Sequence, residues 1–114
     1  MAGPIQQINR YSSFRVQTIA SSGTVSDAFE AKEFAAFGLV IPTAFTGVAI
    51  TFQVSHDGVT YQALYDTTNT LVSLTVAVSR SYQLPAALEA WPFFKLVSGS
   101  SEAAARTLYV VGKG

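Results

Sequence analysis

Period-two alternation is the feature that most narrows what this chain can fold into. In "AITFQVS", residues 49–55, Ile50, Phe52 and Val54 fall on one face and Thr51, Gln53 and Ser55 on the other. That is the pattern of a half-buried β-strand, whose successive side chains point to opposite sides of a sheet. Similar short runs recur from residue 14 onward: "FRVQTIA", "TVSDAFEA", "FGLVI" before Pro42, "VTYQALY", "LVSLTVAVS", "RSYQLP", "FFKLVS" and "RTLYVVG". Turn residues separate them, as in "SSG", "DTTNT" and "GSSEAAA". The reading is an all-β domain, an antiparallel sandwich of eight or nine short strands with jelly-roll-like connections.

Helix signals are thin. "DAFEAKEFAAF" carries an i, i+3, i+4 pattern through Phe29, Lys32, Glu33 and Phe37, but the strand reading is preferred. "LPAALEAW" has room for a single helical turn after Pro85. The first thirteen residues, "MAGPIQQINRYSS", lack alternation. Residues 1–13 are therefore expected to be an arm and 14–114 the sandwich domain. Ile5, Ile8, Arg10, Tyr11 and Phe14 are its candidate contacts with another chain, and a frayed terminus is the plainer alternative.

At 114 residues the chain is one domain's worth, and 49% of it is apolar, enough for a real core. Only 12% is charged, about half the usual share for a soluble domain. Seven basic and seven acidic residues cancel, which argues against a nucleic-acid surface built on phosphate contacts. So few charges imply that a partner covers part of the surface. There is no cysteine, so neither disulfides nor thiolate metal sites hold the fold. The N-terminal stretch has no apolar core of a secretory signal, and no uninterrupted apolar run is long enough to span a membrane.

Chemistry-bearing residues are scattered. His56 is the single histidine, which excludes a two-imidazole metal site. Its neighbours explain it better. Asp57-Gly58 between two alternating runs is a hairpin signal, because glycine accepts the positive φ of a tight turn. Ser55 and Asp57 can bond nearby amides, so His56, Asp57 and Gly58 are expected at an exposed hairpin tip. The carboxylates Asp27, Glu30, Glu33, Asp57, Asp66, Glu89 and Glu102 stand singly and are read as solvated surface acids. No glycine-rich phosphate loop, calcium loop or nucleophile elbow occurs. Gly112-Lys113-Gly114 is read as a flexible end, and Trp91 as closing one end of the core. Arg80, Lys95 and Arg106 are expected to point outward, as candidates for contacts between subunits. No catalytic, cofactor-binding or metal-binding residue is assigned, and the chain is expected not to be an enzyme.

The run "FGLVIPTAFTGVAITFQVSHDGVTYQALYD", followed by "SRSYQLPAALEAWPFFKLVSGSSEAAARTLYVV", resembles small tailed-bacteriophage head decoration, or cement, proteins with a β-sandwich body. The resemblance spans Phe37 to Val111. It implies a non-enzymatic homotrimer, made in the host cytoplasm, that binds the major capsid protein on the head surface and stabilises the shell. A rival reading is a glycan- or receptor-binding sandwich of a phage tail or other virion part. "SHDGVTY" is similar to a turn of discoidin-like carbohydrate-binding domains, with Tyr61 where those have tryptophan.

Overall fold

A computed structural model describes residues 12–31 and 34–113. Nine strands appear among them: β1 (Ser12–Ile19), β2 (Phe29–Glu30), β3 (Ala36–Val40), β4 (Ala49–Ser55), β5 (Gln62–Ala63), β6 (Ser73–Thr75), β7 (Ser81–Gln83), β8 (Phe93–Ser98) and β9 (Arg106–Lys113). A 3-10 helix spans Ala86–Ala90. Every strand pairing is antiparallel.

Sheet A has the order β1-β9-β3-β7, and sheet B the order β2-β8-β4-β5. β6 also pairs with β4, through Ala49–Thr51, while β5 pairs with Gln53 and Val54. β8 occupies the other edge of β4 along its length, so β5 and β6 together fill one strand position. The chain changes sheet at each step from β1 to β4 and again from β6 to β9. This is the order of a jelly roll, two four-stranded sheets built from interlocked Greek keys.

The alternation that defines the strands also builds the core. Ile50, Phe52 and Val54 of β4, with Phe94 and Leu96 of β8 beside them, share one buried cluster with Phe37 and Leu39 of β3 and Leu108 and Val110 of β9 from the opposite sheet. Phe29, Phe37 and Phe94 form its aromatic centre, with centroids 5.0 to 5.8 Å apart. Each fully buried side chain of this size stabilises the fold by about 1.5–3 kcal/mol relative to exposure. Leu88 of the 3-10 helix is buried, and Trp91 packs partly against the same cluster, as expected of a residue closing the core.

Several expectations need adjustment. Gly112 and Lys113 are not a loose end: they are the last residues of β9, paired with Ser13 and Phe37, and Ser12 and Ala36. A Cβ on Gly112 would run into the ring of Phe34, so glycine there lets the aromatic core close. β1 begins at Ser12, inside the segment expected to be an arm. Ile5, Ile8, Arg10 and Tyr11 lie outside the described residues, as do Lys32 and Glu33 of the helical alternative. Phe29 and Glu30, on either view ambiguous, are in a strand.

Candidate functional site: an apolar sheet face

In a two-layer sandwich one face of each sheet is buried and the other meets solvent, where polar residues normally stand. Sheet A departs from this. Phe14 and Val16 of β1 and Tyr109 of β9 point outward and remain 59%, 49% and 40% exposed. The register sets Phe14 beside Val111 and Val16 beside Tyr109, with Val40 of β3 on the far side of Tyr109. Phe14 and Tyr109 meet edge to face at 5.5 Å. Ser13, Phe14, Val40, Tyr109 and Val111 line a shallow depression of about 400 Å³. Thr18, Thr107, Gly38, Ser81 and Gln83 share the face, and Lys113 at its end is the one charged side chain among its described positions.

β1 is also an edge strand, and only half of that edge is covered. The amide of Thr18 donates to Asp27 Oδ1 at 2.8 Å, and its carbonyl accepts from the Asp27 amide at 3.3 Å. Gln17, buried, donates to the Asp27 carbonyl at 2.8 Å. Toward Ser12 the cover is lighter: the Phe14 carbonyl accepts from the exposed Arg15 guanidinium at 3.2 Å. The backbone groups of Val16 on that side have no partner among the described residues, which leaves a partly open template for another strand. Arg15 points away from the exposed face, its guanidinium 5.5 Å above the Phe34 ring.

The remaining sequence candidates separate. Phe14 lies on the apolar face. Arg80 is exposed on the approach to β7. Lys95 lies on the outer side of sheet B, with its ammonium 4.3 Å from the centroid of the Tyr61 ring. Arg106 does not point outward: its side chain is only 16% exposed and its Nε donates to Glu102 Oε1 at 2.9 Å. The alternation itself carries this, since Arg106 shares its parity with the buried Leu108 and Val110. The structure therefore brings none of Arg80, Lys95 and Arg106 to the face that holds Phe14.

Glu102 is likewise no surface acid. It is fully buried, and its carboxylate accepts from the amides of Thr46 and Gly47, the Ser98 hydroxyl and Arg106. Its own amide and carbonyl bond Gly23 and Ser22. Desolvation pushes its carboxyl up, but the hydrogen bonds, led by the Thr46 amide, outweigh that and hold it below the ordinary value. Glu102 is a structural knot tying three loops together.

The hairpin stands where the sequence puts it. β4 and β5 pair through Gln53–Ala63 and Val54–Gln62, and Gly58 has φ of 80°. Ser55 Oγ accepts from the amides of Asp57 and Gly58, and Asp57 Oδ1 from those of Val59 and Thr60. The Val59 and Thr60 amides, with the Ser55 hydroxyl, lower the Asp57 pKa to about 2. The His56 side chain is 81% exposed and 3.9 Å from the Asp57 carboxylate, so nothing orients it for catalysis. Among the described residues no group of three His, Asp or Glu side chains could hold a metal ion. No helix among them is long and apolar enough to cross a membrane.

No protein-family model matches the chain, and no curated protein sequence does. Among solved structures, the chain is similar to the SPBc2 prophage-derived protein YomS, with a TM-score of 0.59 at 14% identity over 91% of this chain and 96% of that one. A carbohydrate-binding module, CBM32-1, from a family 31 glycoside hydrolase of Clostridium perfringens gives a TM-score of 0.36 at 16% identity, over 91% and 76% of the two chains. The second likeness is too weak to bear on the account. The first shows a shared fold.

Proposed function

We propose that the chain is a structural virion protein of a tailed bacteriophage, a decoration or cement protein that docks on the head and stabilises the shell. The observation that carries this reading is the outer face of sheet A, where Phe14, Val16, Val40, Tyr109 and Val111 meet solvent almost without charge. A free-standing sandwich gains nothing from such a face, whereas a subunit pressed against a lattice buries it. Fold likeness to a prophage-derived protein agrees with a phage origin.

The mechanism needs no chemistry. A protein that binds assembled shell and not loose subunits stabilises the shell by mass action, about 2.7 kcal/mol at a free concentration 100 times Kd. In this reading the half-open edge of β1 accepts a strand from a neighbour. Residues 1–11, which lead directly into that edge, add Ile5, Ile8, Arg10 and Tyr11 to the contacts. Partners are other copies, as a homotrimer, and the major capsid protein. The chain is made in the host cytoplasm and ends on the head surface.

The experiment is co-sedimentation of purified chain with heads stripped of it. Wild type should pellet with heads, and Val16→Asp with Tyr109→Asp should stay in the supernatant while remaining folded. Equal pelleting of the two would remove the sheet A face from the account.

A further inference from the structure

A second concavity lies on the other layer of the sandwich, with a volume of about 300 Å³. His56, Thr60, Gln62, Leu64, Tyr65 and Trp91 are among its lining. Every lining residue belongs to β4, β5, the segments that follow them, or the approach to β8, and none to sheet A. A molecule docked through sheet A therefore leaves this groove free, and the inference does not rest on that docking.

Its three walls are each locked by their own hydrogen bonds. The Ser55 and Asp57 acceptors fix the turn that carries His56 and Thr60. Tyr65 bridges to Leu71 across a turn in which Asp66 Oδ1 accepts from the amides of Thr68 and Thr70. The Trp91 amide donates to the Leu88 carbonyl at 3.1 Å, anchoring that residue to the 3-10 helix. A groove built on locked turns binds without ordering itself first.

The exposed lining has a particular chemistry. Tyr65 is 52% exposed and Trp91 partly so, which gives two aromatic side chains at one site. The Gln62 amide and the Thr60 hydroxyl make no hydrogen bond to the described residues, and the His56 imidazole has only its distant Asp57 neighbour. No arginine, lysine or carboxylate lines the groove, so neither an anion nor a cation finds its counter-charge there. A purely apolar ligand would leave the polar groups unmatched. A sugar ring satisfies both halves, with an apolar C–H face for an aromatic ring and hydroxyls for an amide, a hydroxyl and an imidazole.

We propose that this groove binds a neutral pyranose unit of a glycan, stacked on Tyr65 or Trp91 and hydrogen-bonded by Gln62, Thr60 and His56. Free sugars and surface polysaccharides share that chemistry, and the test separates them. Amide spectra of the isotope-labelled full chain would be recorded during titration with methyl glucoside, methyl galactoside, N-acetylglucosamine and a purified neutral bacterial polysaccharide. Saturable shifts confined to residues 54–65 and the Trp91 indole are expected with at least one probe. Response to the polysaccharide alone assigns the groove to an extended glycan, and response to a monosaccharide assigns it to a single unit. Gln62→Ala and Tyr65→Ala change exposed side chains and should keep the fold while weakening binding about tenfold each. No saturable shift with any of the four probes overturns the proposal. Shifts that persist unchanged in both variants overturn it too.

Discussion

Phe14 and Tyr109 stand edge to face on the outside of the β1–β9 pair, centroids 5.5 Å apart and planes at 80°, both partly open to solvent. Such a pair is worth about 0.5–1.5 kcal/mol beyond the area it buries. That is small compared with what the same two rings would contribute once covered. Tyr109→Ser should therefore lower stability by about 1 kcal/mol in chemical denaturation, yet weaken attachment to heads by far more. Parallel losses in both measurements would mean the pair serves the fold alone.

Glu102 and Arg106 give a second expectation. Glu102→Gln keeps the shape but removes the charge that faces Arg106, Thr46 and Gly47. Breaking a buried pair from one side costs about 3–5 kcal/mol, because the other charge is left uncompensated. Adding Arg106→Leu to Glu102→Gln should restore part of the loss, a coupling readable in a double-mutant cycle of urea midpoints. Strict additivity would deny the pair any direct interaction.

Acid should unfold the protein through identifiable groups. Asp57, Asp66 and Glu102 all have folded-state values below their ordinary ones, Asp57 near 2 against 3.8. A depressed carboxyl binds fewer protons in the folded state, so its stabilisation is complete above the unfolded value and is lost as pH falls through the folded one. For Asp57 that window runs from 3.8 down to about 2. Asp57→Asn should flatten the stability profile in that window and leave its slope near neutrality unchanged, as followed by urea midpoints across pH.

At the hairpin the two neighbours of Asp57 should behave differently. His56→Ala should alter stability by no more than about 0.5 kcal/mol, as surface changes do. Gly58→Val should cost more, since φ is 80° there and a Cβ would sit 3.2 Å from the Phe93 ring. Thermal melts of the two variants decide it, and equal midpoints would contradict the turn geometry.

Much of this architecture is legible in residue order, and the exceptions have physical causes. β4, β8 and β9 follow from alternation because one face of each is buried. The Asp57-Gly58 turn is legible because its hydrogen bonds close within five residues. Glu102 is not, since its burial arises where two loops distant in sequence meet it, the Thr46–Gly47 amides at its carboxylate and Ser22 and Gly23 at its backbone. The hint within the sequence is its i, i+4 spacing to Arg106. The apolar face is half legible. Phe14, Val16, Tyr109 and Val111 alternate with residues no more polar than themselves, apart from Arg15 and Gln17, and only the stacking of the sheets decides which set is inside.

The most direct measurement of the proposed function is labelling of the chain on purified virions of a tailed phage that carries its coding sequence, with antibodies to an exposed epitope and imaging by electron microscopy. Label is expected over the heads at many sites per particle, and lost from particles carrying the Val16→Asp, Tyr109→Asp chain. Label confined to tails, or absent from purified particles, would contradict a decoration protein.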